Sequence, residues 1–193
     1  CRGLLWRHQN RLGFEKEDTV LVTTSRLVVK NGIEDIIDSL IFLPESVKLL
    51  IIGTGELGGS LKLKVESLRL MERVRFLGFV SHEKLPPYLW ASDIFVRPSL
   101  SEGMGNAFIE AMAAGLQIIA THVGGIVDFL KDGETGLACE VHNPKSIAQK
   151  VEKLMKDVES RNYIIETAGK LVVEKYDWSL IARRMKEEVF SQV

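Results

Sequence analysis

Cysteine is nearly absent: Cys1 and Cys139 in 193 residues are too few for a disulfide framework or a metal-ligand cluster. Both are read as reduced thiols of a cytoplasmic protein. No segment approaches the ~18 consecutive apolar residues of a membrane span, and the opening CRGLLWRHQNRLG lacks the apolar core of a signal peptide. Charge of one sign is missing too. With 25 basic against 26 acidic side chains, the chain offers no basic excess for nucleic acid or anionic lipid, so nucleic acid is not expected as a partner. Low-complexity stretches and internal repeats are not found. What remains, 46% hydrophobic and 26% charged residues, is ordinary globular composition at a length suited to one well-buried domain. The first residue is Cys rather than Met, so the chain is expected to be a piece of something longer.

The pattern that is present is an alternation of short β-branched runs with amphipathic stretches, the mark of repeated βα units around a parallel sheet. Six runs read as strands: TVLVTTS (19–25), VKLLIIG (47–53), RVRFLG (73–78), DIFVRPS (93–99), QIIATHV (117–123) and a weaker TGLACEV (135–141). Each is nearly continuous in apolar residues, as strands buried on both faces are. Between them GIEDIIDSLIFL, LGGSLKLKVESLRL, HEKLPPYLWAS, GNAFIEAMAAG and GIVDFLKD carry helical spacing. Three helical stretches close the chain: NPKSIAQKVEKLMKD, a second reaching Tyr176, and SLIARRMKEEVF. The expected fold is α/β, a single Rossmann-like doubly wound parallel sheet of about six strands with helices on both faces. Residues 1–18 are expected to be a tether or frayed end, 19–176 the domain, and 177–193 a C-terminal helix.

In such a sheet ligands bind beyond the carboxyl ends of the strands, and four loops there carry notable residues. SRLVVKNG offers Arg26, a planar fork, and Lys30, a mobile point charge, for a phosphate, although basic residues at loop ends are commonly just solvated. GTGELGG spells a dinucleotide-like glycine motif at Gly53, Gly55 and Gly58. It follows the second strand rather than the first and lacks an acid about 20 positions on, so a tight turn with close backbone approach is the favoured reading. GFVSHEKLPPYLW places Phe79 and Val80 where a nucleobase is able to stack, with His82 equally readable as a helix-end residue. PSLSEGMGNAFIEAMAAG runs through Gly103 and Gly105 into a helix whose free N–H groups suit a diphosphate. A carboxylate at Glu102, beside those donors, makes sense only against hydroxyl groups such as a sugar's. Glu110, inside the helix, is either solvated or an acceptor for a vicinal diol such as ribose.

Taken together, these loops resemble the C-terminal domain of the GT-B glycosyltransferases, specifically the family 4 group of retaining enzymes, over most of residues 19–142. The carriers are the two glutamates Glu102 and Glu110 with seven residues between, the order of the four loops, and THVGG followed by DGETGL. The resemblance implies one half of a GT-B architecture. It makes Arg26 and Lys30 the phosphate-binding pair and catalytic stabilisers of the departing nucleoside diphosphate, and Glu102 the catalytic contact to the transferred sugar. Gly103, Met104, Gly105 and Asn106 would receive sugar and diphosphate, Glu110 the ribose, and Phe79 and Val80 the base. Such enzymes keep the anomeric configuration by front-face attack assisted by the leaving phosphate. They need no cofactor and no metal, only a nucleoside-diphosphate sugar. Met104, Asn106 and Gln117 depart from the commoner aromatic, aliphatic and proline residues at their positions, which bears on sugar identity.

The acceptor site of such enzymes lies in a preceding N-terminal Rossmann-like domain. The resemblance therefore implies a fragment that binds donor weakly and is inactive alone, with SLIARRMKEEVF packing on that other domain. Relatives often act on lipid-linked or polysaccharide acceptors, which extends the expectation to a cytoplasmic enzyme associated peripherally with the inner membrane face. A non-catalytic nucleotide-sugar-binding module, or a GT-B epimerase or phosphorylase, would need the same donor residues.

Overall fold

The computed structural model describes residues 12–103 and 105–177. Its six strands are β1 (Thr19–Thr24), β2 (Val47–Ile52), β3 (Val74–Gly78), β4 (Ile94–Arg97), β5 (Gln117–Thr121) and β6 (Leu137–Cys139). They form one parallel sheet in the order β3-β2-β1-β4-β5-β6. All six expected strands are present. All but β3 end short of their apolar runs, because the last residues peel away from the ladder to form the loops above the sheet.

Helices α1 (Ile33–Ser39), α2 (Gly58–Ser67), α3 (Pro86–Trp90), α4 (Asn106–Ala113), α5 (Pro144–Lys156) and α6 (Val158–Lys175) cover both faces. The period-two alternation of the strands sorts the core into two layers. Leu21, Leu49, Ile51, Val96 and Ile119 pack with Ile33, Ile37, Leu61, Val65 and Val151, the inward residues of α1, α2 and α5. Val20, Val22, Leu50, Phe95 and Ile118 pack on the opposite face with Leu89, Phe108, Met112 and Ala168, from α3, α4 and α6. Asn143 caps α5, accepting from the Ser146 N–H at 3.0 Å, and Pro144 opens it. Asp157 caps α6 in the same way at 2.9 Å. Cys139 is free and buried, and burial pushes its thiol up to about 12.

Two expected helices are reduced. GIVDFLKD forms only a 3-10 turn, Gly124–Asp128. The Thr135 hydroxyl donates to the Phe129 carbonyl at 2.6 Å and accepts the Lys131 N–H at 2.8 Å, occupying backbone groups that a longer helix would use. HEKLPPYLWAS splits into a 3-10 turn at His82–Lys84 and the five-residue α3, since Pro86 and Pro87 have no N–H to continue a helix from the preceding turn.

The expected tether is also corrected over residues 12–18. Phe14 is 2% exposed within the core layer of α3, α4 and α6. Arg75 lies 5.9 Å from its ring centroid and donates Nε–H to the Leu12 carbonyl at 3.2 Å. An aromatic side chain gains too much from burial to be left on a solvated linker. Residues 1–11 and, apart from residue 177, the expected C-terminal helix 177–193 lie outside the described residues. Phe14→Ala is expected to destabilise the chain by about 3–5 kcal/mol, the usual cost of emptying a buried aromatic site; a loss below about 1 kcal/mol in urea unfolding would return residues 12–18 to the tether.

Candidate functional site

Strand order reverses between β1 and β4, which are neighbours in the sheet though far apart in sequence. Their following loops diverge to opposite faces and leave a crevice above the sheet. The loop after β1 carries Arg26 and Lys30; the loop after β4 carries Glu102 and Gly103–Asn106.

The shape of the first loop is set by its neighbour after β2. Gly53 has φ +135°, and a Cβ there would overlap the Ser25 carbonyl oxygen. A Cβ on Gly55 would overlap the Leu27 backbone. The two loops are stitched by Ser25 N–H to Ile52, Leu27 N–H to Thr54 and Leu57 N–H to Leu27, each at 3.0 Å. The glycine motif is thus a close backbone approach, which removes the dinucleotide-binding reading and leaves Arg26 on a firmly backed loop. From the other side Asn31, 2% exposed, donates Nδ2–H to the Arg26 carbonyl at 2.7 Å.

Asn31 also faces a residue that the loop motifs do not name. Arg97, the last residue of β4, is 8% exposed and donates from Nη2 to Asn31 Oδ1 at 3.4 Å and to Glu102 Oε2. Its guanidinium stands 5.4 Å from the centroid of the Phe108 ring. Burial lowers its pKa and the Glu102 carboxylate raises it; at guanidinium basicity it stays charged. The side chains of Arg97 and Glu102 are each only 10% exposed. Glu102 is therefore tucked beneath the loop, its Oε2 also near Ser99 Oγ at 3.5 Å and its Oε1 accepting the Gly103 N–H at 3.2 Å. Its backbone is pinned as well. Gly125 N–H donates to the Glu102 carbonyl at 3.1 Å, and Gly124, at φ +54°, comes so close that a Cβ would overlap that same oxygen. The first glycine of the GG in THVGG is explained by this approach.

A pocket of about 260 Å³ opens between these loops, lined by Arg26, Phe79, Val80, His82, Asn106 and Glu110 among others. Five of these, Arg26, Phe79, Val80, Asn106 and Glu110, are residues to which the resemblance gives a part in donor binding. Phe79 is 78% exposed on its rim. His82 Nδ1 lies 3.2 Å from Glu110 Oε1, joining the 3-10 turn before α3 to α4. Ser25 also lines the pocket, and its buried Oγ has no hydrogen-bond partner among the described residues. Gly105, at φ +63°, caps the N-terminus of α4, where α4 directs its first N–H groups toward the crevice. Lys30 does not line this pocket; it is exposed on the adjoining rim, its carbonyl accepting the Leu100 N–H at 2.7 Å. Glu102 and Gly103 likewise stand beside the pocket rather than on its wall, and Met104 lies outside the described residues. No three His, Cys, Asp or Glu side chains are gathered as metal ligands among the described residues.

Arg97, Asn31, Ser25 and Gly124 are the residues at the candidate site to which the sequence reading gave no part, although the last three lie within SRLVVKNG and THVGG. One signal for Arg97 was available: a charged residue inside the apolar run DIFVRPS must find a buried partner. Asn31→Ala would strip the Arg26 carbonyl and Arg97 of a shared partner. It is expected to cost about 1–3 kcal/mol in chemical unfolding, the range for orphaned buried polar groups; a change within about 0.5 kcal/mol would show that Asn31 holds neither loop.

Residues 6–171 match the family described as glycosyl transferases group 1. The chain is 33% identical over 174 residues to an uncharacterised glycosyltransferase of Methanocaldococcus jannaschii, covering 89% of this chain and 45% of that protein. It is 30% identical over 166 residues to the N-acetyl-alpha-D-glucosaminyl L-malate synthase of Bacillus anthracis, covering 85% of this chain and 43% of that one. It thus spans under half the length of these curated relatives. Among solved structures, Anabaena HepE in complex with UDP and glucose superposes with a TM-score of 0.91 at 24% identity, over 98% of this chain and 52% of HepE. The C-terminal domain of LpcC, a group 1 family glycosyl transferase of Francisella tularensis, gives 0.81 at 25% identity, over 92% of this chain and 94% of that domain. By the family match along most of its length, this chain belongs to the group 1 glycosyl transferases.

Proposed function

We propose that the chain is the donor-binding half of a retaining glycosyltransferase, which transfers a hexosyl group from a nucleoside-diphosphate sugar to an acceptor hydroxyl. The observation that carries the reading is the pocket at the β1–β4 switch, where Arg26, Phe79, Val80, Asn106 and Glu110 converge beside the N-terminus of α4. Each chemical part of the donor has a counterpart. Phe79 and Val80 border the base, Glu110 accepts the ribose hydroxyls, and the α4 N-terminus with Arg26 and Lys30 receives the diphosphate. The buried, unpartnered Ser25 hydroxyl on the pocket wall is an orphan that a bound polar ligand would satisfy.

In the reaction, cleavage of the sugar–phosphate bond gathers negative charge on the leaving diphosphate. Arg26 and Lys30 stabilise that charge, taking the part a metal ion plays in other transferases. The sugar lies toward Glu102 and residues 103–106, and the acceptor half is assigned to an N-terminal domain of the whole protein. HepE, half covered by this chain and crystallised with UDP, and the separately crystallised LpcC C-terminal domain both support such a division. A cytoplasmic setting with peripheral attachment to the inner membrane face belongs to the same proposal.

Titration calorimetry of the chain with UDP, GDP, ADP and, as a control, NAD tests the assignment. Saturable binding of one nucleoside diphosphate is expected, weakened at least tenfold (about 1.4 kcal/mol) by Glu110→Ala. Arg26→Ala and Lys30→Ala should weaken the diphosphate far more than the bare nucleoside. Binding of NAD in preference to all three diphosphates would overturn the reading, and an unchanged affinity in Glu110→Ala would remove the ribose assignment.

A further inference from the structure

The donor reading contains an electrostatic difficulty. It sets the Glu102 carboxylate close to a bound diphosphate, and juxtaposed like charges oppose binding. The structure supplies a counter-charge that enters none of the assigned roles. Arg97 is buried at the end of β4, and its guanidinium contacts one oxygen of Glu102 and not the other. Oε2 is held by Arg97 with Ser99 Oγ nearby at 3.5 Å, while among the described residues Oε1 meets only the N–H of the adjacent Gly103 at 3.2 Å. The same guanidinium reaches Asn31, which holds the carbonyl of Arg26 on the other side of the crevice.

We infer that Arg97 is a positioning residue of the donor site: it cancels the charge of Glu102 beside the diphosphate and fixes one carboxylate oxygen, leaving the other to accept sugar hydroxyls. The inference rests on the donor-site reading above. A purely structural pair is poorly served by this arrangement. Burying two charges is costly, and an apolar pair of similar volume would hold the strand end at least as well. Arg97 Nε is moreover buried with no acceptor among the described residues, which is not how a side chain placed only for stability is satisfied. Phe108, 5.4 Å below the guanidinium, keeps the planar group in register with Asn31 and Glu102.

The test is a substitution set, Arg97→Met, Arg97→Lys, Glu102→Gln and the double Arg97→Met/Glu102→Gln, in this chain. Each is titrated with UDP, GDP, ADP, UDP-glucose, GDP-mannose and ADP-glucose, and thermal unfolding reports which variants fold. Arg97→Met is expected to weaken the bound nucleoside diphosphate about tenfold or more, because an uncompensated carboxylate then faces it. Adding Glu102→Gln should restore most of that loss, yet not the extra affinity of the nucleotide sugar over its diphosphate. Arg97→Lys, which keeps the charge without the fork, should lose that sugar increment while losing less diphosphate affinity than Arg97→Met. If Arg97→Met does not fold, Arg97→Lys decides, and a retained sugar increment overturns the inference. Unaltered diphosphate affinity in a folded Arg97→Met, or a loss that Glu102→Gln fails to recover, overturns it too. Absence of any diphosphate binding by the unsubstituted chain would instead remove the donor-site reading, and this inference with it.

Discussion

The crevice above β1 and β4 depends on one buried contact, the guanidinium of Arg97 against the carboxylate of Glu102. The doubly wound order forces the loops after these strands to part, and nothing in the sheet holds them in register beyond the last ladder bond. The contact shapes the loop after β4, and the bonds from Arg97 to Asn31 at 3.4 Å and from the Leu100 N–H to the Lys30 carbonyl at 2.7 Å carry the register across. Arg97 leaves the sheet in line with β4, Glu102 folds back beneath its own loop to meet it, and Asn31 ties both to the carbonyl of Arg26. Remove the cation and the carboxylate is stranded with its charge at 10% exposure, a state that costs far more than the pair gains.

A second constraint acts on the backbone. Four loops above the sheet lie flush in two pairs, the loop after β2 against that after β1 at Gly53–Ser25 and Gly55–Leu27, and the loop after β5 against that after β4 at Gly124–Glu102. Close approach allows main-chain N–H and carbonyl groups of neighbouring loops to pair, as at Leu27 with Thr54 and Gly125 with Glu102, so these irregular segments leave few polar groups to solvate. Rigid loops are what a binding site needs, since residues that must hold a ligand in one pose gain from being ordered before it arrives. The glycines that mimic a nucleotide fingerprint therefore serve the site indirectly, by backing the loop that presents Arg26.

The sheet was legible because strands buried on both faces leave continuous apolar runs, and all six survive in the structure. Their ends were less so. DIFVRPS reads as a strand to Ser99, but the ladder stops at Arg97, where the chain turns to build the crevice. The helical spacing of GIVDFLKD was real yet overridden by the Thr135 hydroxyl, a competitor six residues from the Phe129 carbonyl it binds. Phe14 was lost among polar neighbours, and only its burial reveals that the domain begins before β1. In the candidate site, Arg26 and Phe79, exposed, and the half-buried Glu110 were singled out from position, residue type and resemblance, and the structure brings them to one pocket. The buried organisers Arg97 and Asn31 were not, because what joins the two loops is their contact with each other, between residues 66 positions apart.

The division between exposed and buried polar groups also bears on how such a site would act within a two-domain cleft. Arg26, Lys30 and Phe79 stand in solvent on the rim, where a charge interacts at high effective dielectric and a cation–phosphate contact is worth about 1 kcal/mol at 4 Å. Arg97 and Glu102 are already withdrawn from water. Closure of a second domain over the crevice would change little for the buried pair and much for the rim, since the same contact at an effective dielectric near 20 is worth about 4 kcal/mol. The strengthening would fall on Arg26 and Lys30, the cations proposed to face the leaving diphosphate. In the proposed enzyme the buried pair sets the geometry in advance, while the rim groups reach full strength only when the cleft is closed around the donor.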